Sequence, residues 1–154
     1  MAPIAFFVVG HADWGKSETL RYLVGNSRHR SWITWENFRL FVRHMSNDDQ
    51  PETFYSFLND VDPTWKPWIV LPMCPNSPTE EPRLHQSLRS LTTKGYTLIF
   101  WVLIHQFNSD AAITQAEMKP FEKIGRIIPY EERTDAMQRA AQLKTDILRV
   151  LSEH

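Results

Sequence analysis

Six consecutive apolar residues, Ile4 to Val9, run into Gly10, and Gly15-Lys16-Ser17 then opens a stretch of helical spacing. A continuous run of aromatic and β-branched residues is too apolar for a strand with one wet face. It reads as a strand of a parallel sheet buried on both faces. Leu20, Leu23 and Val24 recur at helical spacing, and Gly25 fits a C-cap. Strand, glycine-bearing loop and helix, in that order, put the loop at the carboxyl end of the strand. In α/β sheets that is where ligands bind.

The rest of the chain continues the alternation. Trp32 to Trp35, Trp68 to Leu71, Tyr96 to Ile104 and Gly125 to Ile128 read as strands. Asn37 fits the cap of a helix whose apolar positions Phe38, Phe41, Val42 and Met45 fall at i, i+3, i+4 and i+7. Pro51 suits the first turn of a helix burying Phe54, Phe57 and Leu58. Thr79 starts another with Leu84, Leu88 and Leu91 on its apolar face, and part of 109–122 forms a further one. Thr134 to Leu151 is the last, with Ala136, Ala140, Leu143, Ile147 and Leu151 along one face. This pattern predicts an α/β fold of three layers with a mostly parallel sheet. A length of 154 residues with 42% hydrophobic content suits one domain over 1–154.

Lys and Arg number 17 against 18 Asp and Glu, so nothing draws the whole chain to nucleic acid or an anionic membrane. Cys74 is the only cysteine, which excludes an intramolecular disulfide and argues against a cysteine-based zinc site. His85 and His105 lack the spacing of a metal site. The longest apolar run, Leu98 to Ile104, is too short to span a bilayer, and the N-terminus does not read as a signal peptide. A cytoplasmic location is the expectation.

Gly10-His11-Ala12-Asp13-Trp14-Gly15-Lys16-Ser17 matches G-x-x-x-x-G-K-[ST]. Glycines let the backbone curl so that successive N–H groups face phosphate oxygens, and the following helix presents its positive end to the same anion. On this motif and its flanks the chain resembles the P-loop NTPases. The resemblance implies a single P-loop nucleotide-binding domain. Nucleotide contacts would run from Gly10 through His11, Ala12, Asp13, Trp14, Gly15, Lys16 and Ser17 to Glu18. Lys16 would serve the β/γ-phosphates and the Ser17 hydroxyl Mg²⁺, with ATP or another nucleoside triphosphate as ligand. Two residues inside the loop are unusual: Asp13 brings a carboxylate toward phosphate charge, and Trp14 is bulky beside Gly15.

No D-x-x-G and no [NT]-K-x-D occurs, which argues against a Ras-type GTPase, and Trp68 to Leu71 ends in Pro72 rather than an acid. Glu36 closes the second strand, is expected on the same sheet edge as Lys16, and is the preferred catalytic acid. Asp60 and Asp62 are further candidates.

The second half resembles the ParA/MinD-type ATPases, through Ile69-Val70-Leu71-Pro72 with Pro75, Leu103-Ile104-His105-Gln106 and Ile127-Ile128-Pro129-Tyr130. That implies slow ATP hydrolysis coupled to a protein partner, a homodimer, and a base edge of His105, Gln106, Pro129 and Tyr130. His11 stands where that family has its signature lysine. Small phosphotransferases of the gluconate- and shikimate-kinase sort are the competing resemblance, through Glu36 and Asn47-Asp48-Asp49. Against it, 106–123 holds no arginine to neutralise charge in phosphoryl transfer. A third reading is a non-catalytic nucleotide-gated binding module. It would use Trp32, Trp35, Trp65 and Trp68 as a partner surface if several were exposed.

Overall fold

The computed structural model describes residues 2–75 and 81–154. β1 (Ile4–Val9) runs between β4 (Trp68–Met73) and β5 (Thr97–Leu103), parallel to both. All six residues of β1 are buried, as a strand with sheet on both sides and helices on both faces requires. β6 (Arg126–Tyr130) extends the sheet beyond β5. On the other side β3 (Phe38–Val42) pairs parallel to β4, and β2 (Trp32–Trp35) closes the edge antiparallel to β3. The order is β2-β3-β4-β1-β5-β6, an α/β sheet that is parallel except at one edge.

Helices cover both faces. α1 (Lys16–Leu23) packs on α5 (Ala136–Glu153), and α2 (Pro51–Asp60) on α3 (Glu81–Thr93), while α4 (Gln115–Glu122) lies against β6. One continuous apolar cluster joins the sheet to these helices. Polar links cross it as well. Trp101 Nε1 on β5 donates to Asp146 Oδ2 on α5 at 2.9 Å, so a buried indole and a buried carboxylate satisfy each other. The expected start of α3 at Thr79 lies outside the described residues.

One predicted element is wrong. Phe38 to Val42 is a strand, not the helix expected from Asn37 onward. Trp35 pairs with Phe38 across a turn made by Glu36 and Asn37, with Glu36 at φ 54°. The apolar positions also fit a strand that buries Leu40 and Val42, and pairing with both β2 and β4 selects that alternative. Pro72 sits inside β4 without breaking the sheet, because the β3 ladder has already ended at Val70.

Of the clustered tryptophans, Trp35 is buried, Trp32 and Trp68 are half-buried, and only Trp65 is exposed. Among the described residues no helix is long and apolar enough to cross a membrane.

Gly125 enters β6 where a Cβ would stand 2.6 Å from both the Leu98 carbonyl oxygen and Phe100 Cε2. The strand backbone cannot yield, so Gly125→Ala should cost about 1–3 kcal/mol of stability, as overpacked core sites do. Urea unfolding checks this, and an unchanged midpoint would contradict the packing described.

Candidate functional site

Because β1 is enclosed on every side, its chain can leave only over the carboxyl edge of the sheet. There Gly10 donates to the Met73 carbonyl of β4 at 3.1 Å, and the loop curls back into α1. The curl uses left-handed backbone at Asp13 (φ 64°) and Gly15 (φ 81°). Aspartate tolerates that region better than most residues, and glycine is unconstrained there. The first intrahelical bond of α1 runs from Thr19 N–H to Gly15 O at 2.9 Å, so the amides ahead of Thr19 have no helical acceptor.

Lys16 folds over this loop. Its ammonium donates to Gly10 O at 2.7 Å and His11 O at 2.8 Å, and Asp48 Oδ2 stands 3.9 Å away. Burial holds the Lys16 ammonium below its ordinary pKa, with Asp48 the strongest opposing influence. The side chain is therefore packed, not hanging at an open junction. Its stem crowds Gly10, where a Cβ would lie 3.3 Å from Lys16 Cγ.

The two odd loop residues have separate explanations. Trp14 is buried and meets the His11 ring edge-on at 4.9 Å, so it anchors the loop to the protein body. Asp13 is exposed, which keeps its carboxylate in water. His11 Nε2 lies 3.0 Å from Glu117 Oε2, and Glu117 also closes the capping box of α4 with Thr114. The loop is thus tied to α4 as well as to α1. Ala12, Ser17 and Glu18 are exposed.

The loop separates two hollows. The larger, about 690 Å³, is walled by Lys16, Ser17, Arg21 and Arg28 on one side and by His44, Asp48 and Asp49 on the other. The smaller, about 230 Å³, lies between the loop, Gln106 to Asn108 after β5, and Thr134 to Arg139 at the start of α5. Asp13, Trp14, Gly15 and Glu18 border both.

Glu36 is not at this site. β2 runs opposite to the other strands, so its end lies at the far edge of the sheet from Lys16. Asp60, at the end of α2, and Asp62 after it lie away from the loop and border neither hollow. The acids that reach Lys16 follow β3 instead. Ser46 Oγ is within hydrogen-bond reach of both Asp48 and Asp49. Asn47 pins the segment, donating to Cys74 O at 3.0 Å and accepting from Cys74 N–H at 2.7 Å.

Of the expected base edge, Gln106 borders the smaller hollow, with its Oε1 accepting from Ser109. Tyr130 is buried, with its ring against Trp101 and its hydroxyl on Thr134 Oγ1, and Pro129 is exposed. Neither of these two borders either of the two hollows beside the loop. His105 forms a β-bridge with Ala112.

Arg139 was not anticipated. It is 2% exposed, and its Nη1 donates to the Trp14 carbonyl at 2.7 Å. Burial lowers its pKa, with Tyr130, Glu18 and Asp135 opposing.

Among the described residues no group of three or more His, Cys, Asp or Glu side chains forms a metal cage. Ser17, Asp48 and Asp49 offer hard oxygen donors around the larger hollow. That suits Mg²⁺, which commonly takes one or two carboxylates and completes its shell with phosphate and water. No family model matches the chain, and no significant match to a curated protein is found.

Asn47→Ala removes both of its buried hydrogen bonds to the Cys74 backbone. The expected loss is about 1–3 kcal/mol, read by urea unfolding. A neutral substitution would mean that the acidic segment is held by something else.

Proposed function

We propose that the chain binds a nucleoside triphosphate, with ATP the expected one, together with Mg²⁺ on the Gly10–Ser17 loop. The observation that carries this reading is Lys16 drawn over the loop by the Gly10 and His11 carbonyls, at the carboxyl end of a fully buried central strand. An ammonium so placed, beside amides that lack helical acceptors, is a concentrated anion receptor. Desolvation strengthens it, because charge-assisted hydrogen bonds gain when water is excluded. The phosphates would lie along the loop, with Mg²⁺ between them, Ser17 and the Asp48–Asp49 wall. Bound there, the ion would neutralise charge on the β- and γ-oxygens. The smaller hollow beside Gln106 has room for a base.

Slow hydrolysis coupled to a protein partner remains the leading activity. Phosphoryl transfer to a small acceptor is the second reading. The larger hollow favours it, because about 690 Å³ exceeds what a phosphate chain lying on the loop fills. Asp48 and Asp49 would face an acceptor hydroxyl there as a general base, and Arg21 and Arg28 supply cations. A small acceptor that stimulates ADP release and emerges phosphorylated separates transfer from hydrolysis.

Lys16→Met retains the buried stem and removes the charge. A charge-assisted hydrogen bond contributes about 1.5–3 kcal/mol, so affinity for Mg²⁺-ATP should fall about ten- to a hundredfold in calorimetric titration. Equal binding by both proteins, or none by either, would remove the loop as a nucleotide site.

A further inference from the structure

Arg139 is a buried cation with too few partners. One of its nitrogens, Nη1, reaches the Trp14 carbonyl, whereas Nε and Nη2 are buried without any hydrogen-bond partner. Among the described residues no carboxylate forms an ion pair with it, and Glu18 and Asp135 act on it only from longer range. Burying an unpaired charge is costly, and an apolar side chain of similar length would fill the same space without that penalty. Packing therefore does not account for a guanidinium at this position.

The contact it does make lies in the phosphate loop. A trans peptide points its C=O and N–H in opposite directions. Fixing the Trp14 carbonyl on Arg139 therefore turns the Gly15 N–H away from the guanidinium. A cation on the carbonyl also polarises the peptide and makes that N–H a better donor. Gly15 is shaped to this contact twice over. Its φ of 81° lies in the left-handed region, and a Cβ would stand 3.2 Å from Arg139 Nη1.

We propose that Arg139 is a positioning residue for the anion cradle: through the Trp14–Gly15 peptide it aims and strengthens one loop amide, and its charge is fully compensated only when a polyphosphate occupies the loop. This rests on the loop being a phosphate site. It adds a cation from α5, 123 positions after Lys16, that the motif does not contain. The unliganded protein bears the penalty of the buried charge, and the ligand relieves it.

The test uses Mg²⁺ with inorganic tripolyphosphate, which has no base, and Mg²⁺-ATP in parallel. Arg139→Met should weaken both about five- to tenfold, the value of one hydrogen bond acting at second hand. Its unfolding midpoint should stay the same or rise. Arg139→Lys keeps the charge and a donor, and should recover most of the affinity. If Arg139→Met does not fold, Arg139→Gln replaces it, and the expectation is that Gln binds tripolyphosphate more weakly than Lys.

Tripolyphosphate binding that is unchanged by loss of the charge overturns the proposal, whether or not ATP binding falls, since an ATP-only effect assigns Arg139 to the base. Gln and Lys variants that bind tripolyphosphate equally overturn it as well. Wild-type protein that binds neither ligand sinks the nucleotide reading and this proposal together. A wild type that binds tightly and is weakened by Lys16→Met but not by Arg139→Met sinks this proposal alone.

Discussion

The enclosure of β1 is the constraint from which the rest follows. A strand with β4 on one side, β5 on the other and helices on both faces has no lateral exit. Its chain must climb over the carboxyl edge and turn back at once into α1. That turn needs residues able to adopt left-handed backbone, and Asp13 and Gly15 supply it. The tight return leaves the amides of the first helical turn without helical acceptors at the end of a fully buried central strand. A site built there inherits the precision of the sheet, although the loop itself has little regular structure.

One residue of the loop itself and two from other parts of the chain brace it. Trp14 plugs it into the core, Glu117 holds His11 from α4, and Arg139 holds the Trp14 carbonyl from α5. Lys16 then closes over it from within. Asn47 fixes the acidic wall by pairing with both backbone groups of Cys74, immediately after β4. The carboxylate that approaches Lys16 is Asp48, in the segment after β3.

The loop and its flanking elements were readable because each is encoded locally: a continuous apolar run, two glycines, a lysine and a helical period. β3 was not, because Phe38, Phe41, Val42 and Met45 satisfy a helical template while Leu40 and Val42 satisfy a strand template. The signal that could have decided was the two-residue Glu36-Asn37 link between aromatic strands, a hairpin length. Misreading it also placed Glu36 on the wrong sheet edge, since a hairpin reverses direction and a helical crossover does not. Arg139 and Asp146 left a fainter trace. Both fall among the buried positions of α5, with Ala136, Ala140, Leu143 and Ile147, where a charged residue needs a reason. Which loop Arg139 would meet depends on long-range packing that no spacing rule contains.

Nucleotide binding as proposed depends on the Gly15, Lys16 and Ser17 amides acting as anion donors. Nuclear magnetic resonance of the ¹⁵N-labelled protein reads those amides one by one during titration with Mg²⁺-ATP. The account predicts saturable downfield shifts concentrated at Gly15, Lys16 and Ser17, with smaller changes at Asp48 and Gln106 on the bordering walls. Shifts confined to another surface, or none at saturating nucleotide, would contradict it.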